Sequence, residues 1–149
     1  MFFTTRKRFT AWIIFAGADH RRFWRIFTRR GWRHCYVILP AYYPEPGLRA
    51  DQYSVIIDTR TNCTDCDVLF TPPKDVVQYL LKEGTTCAIK VRIDRHGKRD
   101  YVPRGILTCV SLVKSIIGIG AWWVWTPEQL ARHLVRNGGE LITQGESDV

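Results

Sequence analysis

Apolar positions along this chain fall into short runs whose period changes. Residues 11–16, Ala-Trp-Ile-Ile-Phe-Ala, are continuously apolar and predict a short buried strand ended by Gly17. Phe23, Ile26 and Phe27 recur at helical spacing after Asp19, a capping residue. They predict an amphipathic helix over 20–30 whose other face carries Arg21, Arg22, Arg25 and Arg29. Residues 33–43 and 52–59 are rich in aromatic and β-branched side chains. With Pro44-Glu45-Pro46-Gly47 between them they predict an antiparallel hairpin. Pairing Tyr43 with Tyr53 sets His34 opposite Asn62 and Asp58 opposite Ile38. That register puts His34, Asp58 and Asn62 on one face of the sheet.

Residues 66–70 predict a short strand. A helix to about Lys82 follows, capped by Thr71 with Pro72 at its first position. Residues 86–93 alternate, with Cys87, Ile89, Val91 and Ile93 against Lys90 and Arg92, which predicts a half-exposed strand. His96-Gly97 predicts a turn. Over 103–119, Pro103 and Gly105 break the chain. Apolar residues at 106, 110, 113 and 117 then give a helical period that closes at Gly118. Cys109 falls in the first turn or two of that helix, where unpaired amides and the helix dipole favour a thiolate. The same position also suits a small apolar core residue. Residues 121–125 predict a loop or a short extended piece. Thr126-Pro127-Glu128-Gln129 starts a last helix, to about Arg136, which Asn137-Gly138-Gly139 ends. Residues 143–149 read as a flexible tail behind a single domain over 1–142.

Charge adds one feature to this picture. The chain of 149 residues carries a net charge of +8, and all of that excess lies in residues 1–34. A local basic patch points to an anionic partner or to a solvated helix face. Trp12, Trp24 and Trp32 among the arginines keep a nucleic-acid-binding module open as a reading. Five cysteines with no visible secretory signal suggest a reducing setting. No transmembrane segment is expected, because the apolar stretch 105–125 is interrupted by Lys114 and several glycines.

The pattern with most chemical content combines three parts. A His begins one strand, polar residues sit on the neighbouring strand, and a Cys sits at a helix start. A thiolate nucleophile needs a base within hydrogen-bond reach and a third group to orient it. The segments are Trp32-Arg33-His34-Cys35-Tyr36-Val37-Ile38, Val55-Ile56-Ile57-Asp58, and Thr108-Cys109-Val110-Ser111-Leu112-Val113-Lys114. In this order they resemble the circularly permuted papain-like cysteine hydrolases. That superfamily holds cell-wall peptidases and amidases, lecithin–retinol acyltransferase-like enzymes and small phage-encoded proteins. The resemblance spans roughly residues 11–136. It implies an α+β fold with an antiparallel sheet and a Cys-bearing helix packed on one face. It also implies Cys109 as nucleophile, His34 as base, and Asn62 or Asp58 as the orienting group, with Asn62 favoured by the register. The implied reaction is hydrolysis of a peptide, amide or ester bond through a thioester, with no cofactor and no metal. The implied setting is the host cytoplasm or a phage virion.

Other features stay open. Cys63-Thr64-Asp65-Cys66 is half of a zinc site, for which Cys35, Cys87 and His96 are the spare ligands. Trp122, Trp123 and Trp125 can wall a cleft, plug a core or meet another subunit. The competing functional class is therefore a catalytically silent protein of the same fold that binds other virion proteins.

Overall fold

The computed structural model describes residues 7–17, 31–41, 52–59, 63–95 and 108–144. Its architecture is α+β. Six antiparallel strands form one sheet, accompanied among the described residues by three helices. The strands are β1 (Lys7–Ala16), β2 (His34–Pro40), β3 (Ser54–Thr59), β4 (Thr64–Leu69), β5 (Cys87–Arg95) and β6 (Glu140–Ile142). Their order across the sheet is β4-β3-β2-β1-β5-β6. The helices are α1 (Pro73–Lys82), α2 (Cys109–Ile117) and α3 (Pro127–Arg136).

The apolar run of β1 explains its central place. A strand with no polar alternation must be covered on both faces, and Ala11 through Phe15 are all buried. Ala11, Ile13 and Phe15 face one side with Cys35, Val37, Cys87 and Ile89. There they meet Val110 and Val113 of α2 and Leu130, Ala131 and Leu134 of α3. Trp12 and Ile14 face the other side with Ile38 and Ala88, under Val76, Val77 and Leu81 of α1. Among the described residues, the sheet thus has two helices on one face and one on the other.

Several local expectations need correction. The hairpin register is shifted by two residues. Val37 pairs with Ile57 and Ile38 with Ile56, so Ile38 does not oppose Asp58. A shift of two preserves which residues share a face, because side chains alternate with period two. Thr71 does not cap α1: Pro72 occupies the cap position and Pro73 follows it. The Thr71 carbonyl instead accepts from Ser54 Oγ at 2.6 Å. β5 is half-exposed at Lys90 and Arg92 as expected, but α1 covers Ala88 on that same face. β6, which falls between the expected helix end at 137–139 and the expected tail from 143, adds an edge strand by pairing Ala88 with Ile142 and Lys90 with Glu140. The expected helix over 20–30, the turns at 44–47 and 96–97, residues 103–107 and the tail from 145 lie outside the described residues.

Candidate active site

α2 is a short helix with well-made ends. Thr108 is its cap. The Thr108 Oγ1 accepts from the Ser111 amide at 3.1 Å, and Ser111 Oγ accepts from the Thr108 amide at 2.8 Å. Gly118 closes it at φ 78°, a left-handed geometry that suits glycine. Cys109 is therefore the first residue of the helix. Its amide is one of the four that no helix can pair internally. The first turn holds no acidic side chain, so nothing there opposes a negative sulfur.

β2 supplies the other side of the site. Its start is pinned by Thr86, whose amide donates to the Phe15 carbonyl at 2.9 Å and whose Oγ1 donates to the Gly31 carbonyl at 2.6 Å. Pairing with β1 continues to the very beginning of the strand, where His34 opposes Ala16. Among the described residues, pairing with β3 covers Val37–Pro40. No pairing of described residues continues it below Val37, and the N-terminus of α2 meets the strand there. Cys109 interacts with both of the first two side chains, His34 and Cys35.

His34 is the hub. Its Nε2–H donates to Asp58 Oδ1 at 2.6 Å, and the ring lies 5.9 Å from that of Tyr36, centroid to centroid. With Nε2 committed to the carboxylate, Nδ1 is the ring nitrogen left for the hydrogen bond to Cys109. Both partners keep some solvent contact, His34 at 19 % and Asp58 at 22 % of the side chain.

Electrostatics make this a charged pair. Burial works against the His34 cation. Hydrogen bonds to Asp58 and Cys109 and the two negative charges outweigh it, and the pKa rises from 6.5 to about 10. Cys109 moves the opposite way, from 9.0 to about 5. The hydrogen bond from the Cys35 side chain is the largest cause; burial opposes it, and the bond to His34 and its positive charge complete the shift. At neutral pH the site holds a thiolate beside an imidazolium. Cys35 is fully buried, and burial pushes its thiol well above the ordinary value, so it stays neutral and can donate. Tyr36 is likewise pushed up, to about 12, chiefly by burial.

The structure thus brings Cys109, His34 and Asp58 together. Asn62, favoured by the register expected from the sequence, lies outside the described residues, as do Arg21, Arg22, Arg25 and Arg29. Trp122, Trp123 and Trp125 do not plug the core: they are 71 %, 55 % and 72 % exposed on the loop between α2 and α3. Lys114 organises that loop. It is only 3 % exposed, and its Nζ donates to the carbonyls of Ala121 at 2.6 Å and Val124 at 3.1 Å. Cys63 and Cys66 are exposed at the β4 edge, while Cys35 and Cys87 are buried in the core. Among the described residues no three potential ligands cluster as a metal site would need.

Sequence reasoning did not single out Cys35 or Lys114. The only available signals were a second cysteine beside the histidine and a lysine inside an apolar helical period. No helix of the described residues is long and apolar enough to cross a membrane. Comparison of the chain with family models, curated proteins and solved structures gives no match.

Proposed function

We propose that this protein is a small cysteine hydrolase of permuted papain-like type, acting on a peptide, amide or ester bond. The observation that carries the reading is the linked set Asp58–His34–Cys109, with the sulfur at a helix N-terminus. Three residues distant in sequence meet as nucleophile, base and orienting carboxylate, which is the arrangement that thiol acyl transfer requires.

In the proposed reaction the Cys109 thiolate attacks the substrate carbonyl carbon. The Cys109 amide, unpaired by the helix, faces the oxygen that becomes negative. The His34 imidazolium gives a proton to the departing amine or alcohol, and a thioester to Cys109 remains. Neutral His34 then takes a proton from water as the water attacks the thioester. Collapse releases the acid and returns the thiolate–imidazolium pair. Asp58 keeps the ring oriented and favours its cationic form.

The test is a panel of activated esters and acyl amides with mass spectrometry of the intact chain. The reading predicts a transient acyl adduct on Cys109 and its absence in Cys109→Ala. Turnover that survives Cys109→Ala contradicts it.

A second reading is supported by the three exposed tryptophans. On it the chain binds other virion subunits through the α2–α3 loop and performs no chemistry. Sedimentation separates the two. A large assembly that Trp122→Ser and Trp125→Ser disperse, with no acyl adduct under any condition, favours the binding role.

A further inference from the structure

We propose that Cys35 is a positioning residue for Cys109, holding its sulfur against His34 through the Cys35 thiol and backbone amide. The assignment rests on the hydrolase reading for its purpose, but its geometry stands on the strand. Pairing of β2 with β3 stops at Val37, so the amide of Cys35 lies beyond that ladder. It lies instead on the side of β2 that α2 packs against, and both the backbone and the side chain of Cys35 favour a charged Cys109 sulfur. Alternation along β2 turns the Cys35 side chain the same way as Val37, into the cluster against which Cys109 packs. There it is 0 % exposed, with no water to compete for its proton.

Two donors from one residue fix a sulfur better than one. The amide cannot rotate, and the thiol is enclosed on all sides. A neutral S–H beside a thiolate can only donate, so it stabilises the charged form of Cys109 and disfavours the protonated one. The titratable groups facing the Cys109 sulfur are Cys35 and His34 of β2, with Asp58 of β3 acting through His34. If Cys35 were core filling alone, any apolar residue of its size would serve there.

The test compares Cys35→Ser and Cys35→Val in the full chain. The rate of Cys109 alkylation by iodoacetamide is followed against pH by peptide mass spectrometry, with the exposed Cys63 and Cys66 as internal references. Loss of a hydrogen bond to a charged group moves the midpoint for Cys109 upward by about one to two pH values in Cys35→Val. Cys35→Ser keeps a donor and stays near the unaltered protein. Equal midpoints for Cys35→Val and the unaltered chain overturn the assignment, as does a serine variant displaced as far as the valine one. A second readout needs no change at Cys35. In the unaltered protein the Cys35 amide proton resonance must move as Cys109 ionises, and a resonance indifferent to that ionisation also overturns it. Neither measurement uses a substrate. A displaced midpoint without any acyl adduct keeps the positioning role and removes the hydrolase reading; an adduct without displacement does the reverse.

Discussion

Replacing Asp58 separates orientation from charge at the candidate site. The bond it accepts from His34 Nε2 is 2.6 Å long and only partly exposed, so solvent competes weakly. A hydrogen bond to a charged partner contributes about 1.5–3 kcal/mol, or about one to two pKa values. Asp58→Ala should bring His34 down from about 10 to about 8–9. At neutral pH the ring therefore remains cationic, and the ground-state pair persists. Turnover should still fall, by about 10–100-fold, because the ring is no longer held during proton transfer. Asp58→Asn keeps an acceptor without the charge, so it should lower the His34 pKa while retaining more of the rate. The assay is an NMR titration of the assigned His34 ring in each variant, beside acyl turnover. A ring that titrates near 10 in both variants, or turnover within about twofold of the unaltered protein in Asp58→Ala, refutes the role. So does a collapse of activity in Asn62→Ala alongside an indifferent Asp58→Ala.

Three further outcomes follow from the structure. In the unfolded chain Cys109 and His34 titrate near 9.0 and 6.5, and in the folded chain near 5 and 10. The depressed thiol makes the pair's contribution to stability rise with pH from about 5 to 6.5. The contribution is level from 6.5 to 9.0, where folded and unfolded pairs hold one proton each. It falls from 9.0 to about 10 as the raised imidazolium loses its proton. Denaturant titrations of the unaltered chain minus those of Cys109→Ala/His34→Ala should trace that plateau; a monotonic difference contradicts it. Lys114→Ala leaves the carbonyls of Ala121 and Val124 without their buried donor and should cost about 2–4 kcal/mol. Its effect on the environment of the loop tryptophans should appear in their fluorescence, and an unchanged spectrum and midpoint speak against the pinning role. Gly139→Ala puts a Cβ 2.8 Å from Ile89 Cγ2 and 2.9 Å from the Leu134 carbonyl, and should destabilise by about 1–3 kcal/mol. A neutral midpoint there shows that β6 can be repositioned freely.

Much of the framework was legible in the sequence because local rules and packing agree. The continuous apolar run of β1, the alternation of β5 and the capping box of α3 each name their element without help from the rest of the chain. The hairpin register was not legible. It depends on how the long connection between β2 and β3 closes, and apolar alternation fixes only the face, not the two-residue offset. β6 escaped notice because three residues carry no periodic signal; only pairing with β5 defines them. At the site, Cys109 and His34 stood out by residue type and by their places at element starts. Asn62 was favoured over Asp58 only through the assumed pairing of Tyr43 with Tyr53, and the observed register is shifted by two residues, with His34 bonded to Asp58. In the sequence Cys35 offered only a spare zinc ligand, whereas the structure buries it in the core. The positioning role proposed for it depends on where the β2–β3 ladder ends, which no spacing rule encodes.

The ionic state of Cys109 is the central claim, and thiolate absorbance in the ultraviolet reports it without any substrate. The measurement is a pH titration of the unaltered chain minus Cys109→Ala. The account predicts one thiolate appearing with a midpoint near 5 and accounted for wholly by Cys109. A difference that develops only near 9.0, the ordinary value for a thiol, contradicts it.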